Sequence, residues 1–457
     1  MNRIEKFFEL KAKGSSIGIE FLAGLTTFMT MAFIIAVNPA ILSATGMDPG
    51  GLFTATILGV IVPTLIMALW AKYPYAIAPG MGLNAYFAFI IAAEFGWQLA
   101  LISLFFQGIL FIILASVNFR EKILEAIPSN IKLAIGAGIG VFIALIGFQE
   151  AGFVAYSPAT LVTLGDIGDI TVGLFMIGCV CTVILLALKI KGGIFFGIVI
   201  TYVLGLMAQA AGLYVPHVLD EYGAILVAGH GFSLMPGSIV SAPPSIAEVN
   251  IITAFRQADW VGVSIMRYIT VFIAFFIVDV LDTVSTLVGV SEKAGFLDKN
   301  GKLPRAKQAF LADAIGTSAG AAFGTSTTTV YIESAAGIAV GGKTGLTALF
   351  VAGFFAVCLF FWPVISVIPS FATSPALVVV GLYMVSIVRK INFEDFAEGF
   401  PAFLTIIVIP FTYSISYGLI FGILSYVLIK IFTGKAKETS WVMYVLSIFF
   451  IIKLIVV

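Results

Sequence analysis

The sequence predicts an all-α integral membrane protein with about fourteen transmembrane spans, arranged as a seven-plus-seven inverted repeat. The first observation is composition. Of the 457 residues, 60% are hydrophobic and 11% are charged, and the mean hydropathy of +1.12 excludes a soluble globular protein. The second is length, because about 20 apolar residues cross the hydrocarbon core of a bilayer and many segments approach that length. The third is the distribution of Lys and Arg, which collect in alternate connections.

Apolar segments, separated by Gly, Pro and charged residues, mark the spans in order. The first repeat, 1–212, is expected to hold spans near 18–43, 51–70, 75–93, 98–117, 130–149, 170–188 and 193–212. The second repeat, 267–435, is expected to hold spans near 267–290, 306–322, 325–340, 346–364, 375–388, 400–413 and 416–433. A long extracytoplasmic connection, 213–266, carries His217 and His230, which we interpret as surface residues. The hydrophobic segment 436–457 is expected to lie at the interface or to pack on the bundle.

The basic residues predict which side of the membrane each connection faces. With fourteen spans, Lys and Arg fall on one side except for Arg256 and Arg267, while Lys453 lies inside the final segment. The positive-inside rule then places both termini in the cytoplasm and supports an even number of spans. Seven spans on each side of the long connection insert the two halves in opposite directions, as inverted repeats do. The N-terminal segment is charged and amphipathic, with no signal-peptide core. We expect a multi-pass protein of the plasma (inner) membrane.

Two aspartates, Asp279 and Asp282, lie inside the eighth span. A carboxylate at the centre of a bilayer costs about 2.5–3.5 kcal/mol on insertion scales. Thr283 and Thr286 continue the same helical face, so this polar stripe must face protein or water. Neighbouring polar groups could satisfy the pair, but acids within a membrane usually mark a substrate or ion pathway.

The third span is expected to be broken near its start. Pro79, Gly80 and Gly82 are poor residues for a helix interior, since proline lacks the N–H and each glycine costs about 1 kcal/mol relative to alanine. The pattern predicts a short extended segment followed by a helix that begins near Gly82–Asn84. A kinked helix with a glycine packing surface is the alternative.

The tenth span shows a matching break. A run of hydroxyl residues after Gly324, which includes Thr328 and Thr329, favours a short strand before the helix-compatible segment that contains Glu333. Extended backbone at membrane depth is tolerated only inside protein or along a cavity. The two half-helices are therefore expected to meet near the aspartates, with Thr27 and Thr30 of span one as minor candidates for the cavity. Glu333 could instead serve only as a helix-capping acid.

Four segments carry a resemblance to a known family. AGLTTFMTMAFIIAVNPAIL (23–42), APGMGLNAYFAF (78–89), DVLDT (279–283) and GTSTTTVYIESAAGI (324–338) resemble the AzgA-like purine permeases of the nucleobase–cation (xanthine/uracil permease) symporter superfamily. The resemblance implies the uracil-permease fold, with a core domain from spans 1–4 and 8–11 and a gate domain from spans 5–7 and 12–14. It also implies proton-coupled uptake of guanine, hypoxanthine or adenine, a homodimer, and no cofactor or metal beyond the coupling proton.

The resemblance also assigns residues. It implies that Glu333, Asp282, Asn84 and Asp279 bind substrate, and the three acids among them are the candidates for proton coupling. Thr286 stands where the wider superfamily has a histidine, which leaves the acids for this task. Gly80, Gly82, Thr328 and Thr329 would supply the backbone at the helix breaks.

Other classes of protein fit the sequence less well. An anion transporter of the same architecture would favour basic groups or bare helix N-termini over three acids. A membrane-embedded enzyme using Asp279 and Asp282 would need the two acids face to face, whereas they lie on one helix. A channel is possible, although inverted halves fit alternating access better. Nucleic acid is not expected as a partner because the chain has no Lys/Arg-rich block.

Overall fold

The computed structural model describes residues 3–116, 128–214, 217–219, 225–228, 235–261, 263, 265–296 and 303–456. The helices of the first half are α1 (Arg3–Phe7), α2 (Ile17–Met31), α3 (Ile34–Ser43), α4 (Pro49–Ile66), α5 (Met81–Tyr86), α6 (Ala92–Ser116), α7 (Ser129–Glu150), α8 (Ile170–Ala187) and α9 (Gly193–Ala210). Its strands are β1 (Ile77–Pro79), β2 (Val154–Ser157) and β3 (Leu161–Leu164).

The connection and the second half contain the remaining helices and strands. The described part of the connection holds β4 (His217–Leu219), β5 (Ile225–Ala228) and α10 (Ile251–Gln257). His230 lies outside the described residues. The second half comprises α11 (Ile265–Lys293), α12 (Ala306–Phe323), β6 (Thr328–Val330), α13 (Ser334–Ala339), α14 (Gly345–Cys358), α15 (Trp362–Ile365), α16 (Ser370–Val385), α17 (Phe396–Thr412), α18 (Ile415–Phe432) and α19 (Trp441–Val456).

The helices confirm the prediction of an α-helical, multi-pass membrane protein. Eight helical segments of the described chain are long and apolar enough to cross a membrane, and two shorter apolar helices, Phe396–Thr412 and Tyr417–Phe432, follow them. Every predicted span contains a helix or a strand–helix unit. Spans three and four are separated by Gly96, whose φ of +82° interrupts the helical backbone within α6.

Polar residues at the helix starts explain several boundaries. Asp48 accepts a hydrogen bond from the Gly51 backbone N–H at 2.6 Å, and Pro49 follows at the first helical position of α4. Asp169 caps α8 in the same way, accepting from the Thr171 backbone N–H at 2.8 Å. These caps satisfy backbone donors that the first helical turn leaves unpaired.

The predicted breaks in spans three and ten are present as a two-stranded sheet inside the bundle. Strands β1 and β6 pair antiparallel, with Ile77 opposite Val330 and Pro79 opposite Thr328, and all six residues are buried. The outer edge of β1 is also satisfied, because the Ile77 backbone N–H donates to the Thr64 hydroxyl at 3.0 Å. Each strand leads into a short helix, β1 into α5 and β6 into α13. Since the strands are antiparallel, the two short helices leave the sheet in opposite directions, as an inverted repeat requires.

The long helices form two packed groups. In the first helix group α6 packs on α12, α2 on α14, and α4 on α3, α12 and α14. In the second helix group α7 packs on α16 and α17, α8 on α9 and α16, and α17 on α18. The two groups meet where α3 contacts α16 and α2 contacts α9. The division into core and gate domains remains a prediction.

The last helix packs on the bundle through one face. Helix α19 contacts α18 and α11, with Met443 and Phe450 fully buried and Trp441 largely exposed. The turn before it is held by Lys430, whose Nζ lies 3.1 Å from a Glu398 oxygen and 2.9 Å from a Glu438 oxygen. The hydrogen bond from Lys430 lowers the pKa of the exposed Glu438 carboxyl below its ordinary value.

Candidate functional site

A cavity of about 540 Å³ lies where the broken spans meet the second helix group, a volume suited to a small ligand. One side is formed by the breaks and by α11, and the other by the ends of α8, α9 and α16. The polar and backbone groups of the first side are Gly80, Gly82, Asp282, Thr286, Thr329, Tyr331 and Glu333. The apolar wall opposite includes Leu186, Ile190, Ile194, Val380, Met384 and Ile387.

Glu333 lies at the exit of the tenth-span strand. Strand β6 ends at Val330, and Glu333 immediately precedes α13 with helical backbone angles (φ −58°, ψ −20°). The neighbouring Tyr331 is fixed across the sheet, since its hydroxyl donates to the Pro79 carbonyl at 2.7 Å. The local β-to-helix transition therefore sets where the Glu333 carboxylate enters the cavity.

Asp282 lines the same cavity from α11. Its backbone carbonyl accepts from the Thr286 hydroxyl at 2.8 Å, and the hydroxyls of Thr286 and Thr329 are 3.4 Å apart. A Cβ on Gly80 would lie 3.1 Å from Thr329 Cγ2 and 3.7 Å from Asp282 Oδ2. The absence of a side chain at Gly80 therefore leaves room beside this carboxylate.

Asp279 lies near Asp282 in sequence but is not among the described residues that line the cavity. It is fully buried, and its Oδ2 accepts from Gln107 Nε2 at 2.8 Å and from the Thr327 hydroxyl at 3.0 Å. Residues three apart lie on the same helical face, about 60° apart around the axis, but a rise of about 4.5 Å separates them along it. The two acids of α11 therefore meet different neighbours. Asp279 thus joins α11 to α6 and to the segment before β6.

Asn84 is also placed away from the described cavity lining. Its side chain is fully buried and forms hydrogen bonds with Asn38 and Ser326. Sequence reasoning did not single out Ser326 or Gln107 as members of these polar contacts. What could have pointed to them is that each is a polar side chain inside an apolar span. Such a residue is expected to have a buried hydrogen-bond partner, but the sequence does not identify that partner.

The remaining predicted positions divide between the cavity and the packing beneath it. Thr30 and Thr329 line the cavity, whereas Thr328 is buried in the sheet. Thr27 packs on Gly337, where an added Cβ would lie 2.1 Å from the Thr27 hydroxyl. Gly82 lines the cavity and lets α7 approach, since a Cβ there would lie 2.6 Å from a methyl carbon of Ile139.

The chemistry available at the cavity is that of hydrogen-bond acceptors in an apolar enclosure. Two carboxylates and several hydroxyls face a wall of aliphatic side chains, which suits a flat, partly apolar ligand that carries N–H donors. In the part of the chain that the structure describes, no group of three His, Cys, Asp or Glu side chains is arranged to hold a metal ion.

A ligand-sized cavity beside two broken helices, between two helix groups of a multi-pass membrane protein, is typical of a transport protein. The chain belongs to the Permease family (Xan_ur_permease), whose model matches residues 18–421. This finding confirms the resemblance drawn from the four sequence segments at the level of the family.

Individual relatives cover almost the whole chain. It is 43% identical over 455 residues to the guanine/hypoxanthine permease PbuO of Bacillus subtilis, covering 98% of this chain and 100% of that protein. It is 35% identical over 454 residues to the adenine permease AdeP of Escherichia coli, covering 99% and 96%. Among solved structures, the transmembrane domain of the cyanobacterial bicarbonate transporter BicA matches with a TM-score of 0.58 and 15% identity. That match covers 89% of this chain and 97% of BicA's chain, and it shows a shared fold alone.

Proposed function

We propose that this protein carries purine nucleobases into the cytoplasm and couples their uptake to the inward movement of protons. Guanine and hypoxanthine are the first candidates and adenine is a further one. The observation that carries the proposal is the pairing of Glu333 and Asp282 in one ligand-sized cavity. Support comes from relatives named as guanine/hypoxanthine and adenine permeases, which match over nearly their whole length.

The cavity chemistry favours a purine. Guanine and hypoxanthine present N–H donors beside a carbonyl, and carboxylates accept from such donors in short, charge-assisted hydrogen bonds. The faces of the ring would pack on apolar wall residues such as Val380 and Met384. A protonated carboxyl would also donate a hydrogen bond, which is why adenine stays a candidate.

Proton coupling needs a group near the substrate that can gain and lose a proton. Asp282 and Glu333 are the carboxylic acids of the described cavity lining. Asp279 is a third candidate, because it is buried within one helical turn of Asp282. If the carboxyl protonates as the base binds or leaves, the two equilibria are linked and one gradient can drive the other.

The arrangement in the membrane is part of the proposal. We infer a plasma (inner) membrane protein with cytoplasmic termini, a substrate-holding core domain and a gate domain, assembled as a homodimer. The wall residues Ile190 and Ile387 lie within three positions of the basic residues Lys191 and Arg389, which the positive-inside rule assigns to the cytoplasm. The cavity would then open toward the cytoplasmic side in this conformation.

Uptake by cells that lack their own purine carriers tests the function. Cells that express the protein should accumulate labelled guanine, hypoxanthine or adenine, and a protonophore should abolish this accumulation. Cells that express Asp282→Asn at the same membrane level are the matched control and should accumulate much less. Uptake that survives collapse of the proton gradient but disappears without sodium would contradict the coupling.

An anion transporter is the second candidate, because the fold is shared with a bicarbonate transporter. Two carboxylates in the cavity oppose it, since they would repel an anion. Excess bicarbonate should therefore leave purine uptake unchanged. Competition by bicarbonate at constant pH would favour the anion transporter.

A further inference from the structure

A chain of buried polar side chains connects spans one, two, three and ten behind the cavity. Asn38 Nδ2 donates to the Thr56 hydroxyl at 2.6 Å and to the Thr325 hydroxyl at 3.0 Å. Asn38 Oδ1 accepts from the side-chain amide of Asn84, whose own carbonyl oxygen accepts from the Ser326 hydroxyl. All five side chains are fully buried, and none lines the described cavity.

The direction of each hydrogen bond in this chain follows from one fixed end. The Thr56 hydroxyl donates its only proton to the Leu52 backbone carbonyl at 2.7 Å, so its oxygen can only accept from Asn38. Asn38 must therefore turn its NH₂ group toward Thr56, which leaves its carbonyl oxygen to face Asn84. Asn84 in turn presents its NH₂ group to Asn38 and its carbonyl oxygen to Ser326. A backbone carbonyl of α4 thus sets the orientation of two side-chain amides.

In this orientation the Asn84 amide forms its hydrogen bonds with other side chains of the protein. One amide proton points to Asn38 and the carbonyl oxygen receives Ser326, while the amide nitrogen lies 3.9 Å from the sulfur of Met81. Asn84 lies in α5, the helix that begins one residue after Gly80 and whose first residues line the cavity. Ser326 lies two residues before β6, the strand that carries Thr329 into the cavity. These hydrogen bonds therefore connect the break in span three to the break in span ten.

We propose that Asn38 is a positioning residue for the purine site and that it acts through Asn84, without touching the substrate. The inference rests on the proposed function, because its main measurement is purine binding. Asn38 is the branch point, since its side chain hydrogen-bonds to residues of α4, α5 and the segment before β6. Its loss frees the orientation of the Asn84 amide and removes the support of Thr325. The backbone at Gly80 and the Glu333 carboxylate then lose their fixed separation.

Four variants separate hydrogen bonding from packing. Asn38→Ala removes the amide and leaves space, whereas Asn38→Leu keeps the branched shape of the side chain and removes its hydrogen bonds. Thr56→Val removes the hydroxyl that orients the Asn38 amide, and Thr56→Ser keeps that hydroxyl. Ser43→Ala is the matched control, because Ser43 lies in the same helix and its hydroxyl donates to the local Ala40 carbonyl at 2.8 Å.

Equilibrium binding of one purine to folded, purified protein is the main measurement. Asn38→Ala, Asn38→Leu and Thr56→Val should each weaken binding by roughly 5- to 30-fold, and Thr56→Ser and Ser43→Ala should bind as the parent does. In protein that already carries Asn84→Ala, adding Asn38→Ala should weaken binding less than about 2-fold further. Full additivity of the two changes, or binding unaffected by loss of Asn38, would overturn the inference.

A second measurement does not depend on a ligand. Hydrogen exchange of the 325–330 backbone should become faster in Asn38→Ala and stay unchanged in Ser43→Ala, in protein without purine. If the parent protein binds none of guanine, hypoxanthine and adenine, the proposed function fails. The exchange result still decides the positioning role, and unchanged exchange at 325–330 in Asn38→Ala would refute it.

Discussion

Acids only three residues apart on one helix have different surroundings. Asp282 enters the cavity beside Gly80, while Asp279 is enclosed by Gln107 and Thr327. The sequence identifies both as costly and therefore functional, because a buried carboxylate in a membrane needs a partner or a ligand. It does not separate their tasks, since that depends on which helix lies against each face. One neighbour of Asp279, Gln107, is far away in sequence and has no recognisable motif around it.

The two cavity acids lead to a prediction about affinity. Glu333→Gln and Asp282→Asn keep the size of the side chain but replace an acceptor oxygen with a donor NH₂ group, which opposes the purine N–H. Each should weaken purine binding by roughly 5- to 150-fold, the effect of about 1–3 kcal/mol from one unpaired buried donor. Equilibrium binding to folded variants measures this effect. Glu394→Gln, which changes an exposed carboxyl outside the site, should bind as the parent does. Parent-like affinity in both site variants would show that these acids are structural.

At the scale of elements, the sequence predicts the broken spans and that they meet, but it does not predict how their strands pair. Pro79 and the glycines that follow it predict a break, and the threonine run predicts a strand, because each residue type has a backbone preference of its own. The pairing of Ile77 with Val330 joins segments separated by more than half of the chain. Local preferences carry no information about that register. The predicted helix start near Gly82–Asn84 agrees with the structure to within one residue, because α5 begins at Met81.

The break in span three leads to a prediction about the space for a ligand beside Gly80. Gly80 has an ordinary backbone conformation (φ −75°), so alanine is not strained there, but its Cβ would lie 3.1 Å from Thr329 and 3.7 Å from Asp282. Gly80→Ala should therefore fold with a melting temperature close to the parent's and bind purine several-fold more weakly. Gly173→Ala is the matched control, because a Cβ there meets no atom within 4 Å. Equal binding by both variants would mean that the ligand does not approach Gly80.

The ionic contact before α19 leads to a prediction about stability. Lys430→Met leaves the Glu398 carboxylate, which is 22% exposed, without its cation, so the melting temperature should fall by an amount equivalent to about 1–3 kcal/mol. Adding Glu398→Gln should recover part of the loss, and Lys435→Met, at an exposed position, should have little effect. Because the pKa of Glu438 is lowered by Lys430, the contact between them is present at neutral pH and is lost as the pH falls through that pKa. A melting temperature insensitive to Lys430→Met would contradict this role.

At the scale of the whole molecule, composition and charge distribution predict more of the membrane architecture than the motifs do. The span count follows from apolar length, and it is checked independently by the alternation of basic residues, because a miscount by one span would scramble that alternation. The apolar wall of the cavity could not be predicted. Leu186, Val380 and Met384 lie in spans whose every turn is apolar, so no residue type distinguishes the cavity face from the lipid face. Only the packing of α8, α9 and α16 identifies them.

The orientation of the molecule in the membrane gives the last prediction. Asp166 and Arg389 are both exposed, in connections separated by an odd number of predicted spans, so they should face opposite sides. In protein whose three native cysteines are replaced by alanine, a membrane-impermeant maleimide added to intact cells should label Asp166→Cys. Arg389→Cys should react only after the membrane is opened, because the positive-inside rule places its connection in the cytoplasm. Labelling of Arg389→Cys in intact cells, with Asp166→Cys protected, would invert the topology. The proposed cytoplasmic opening of the cavity would then face outward instead.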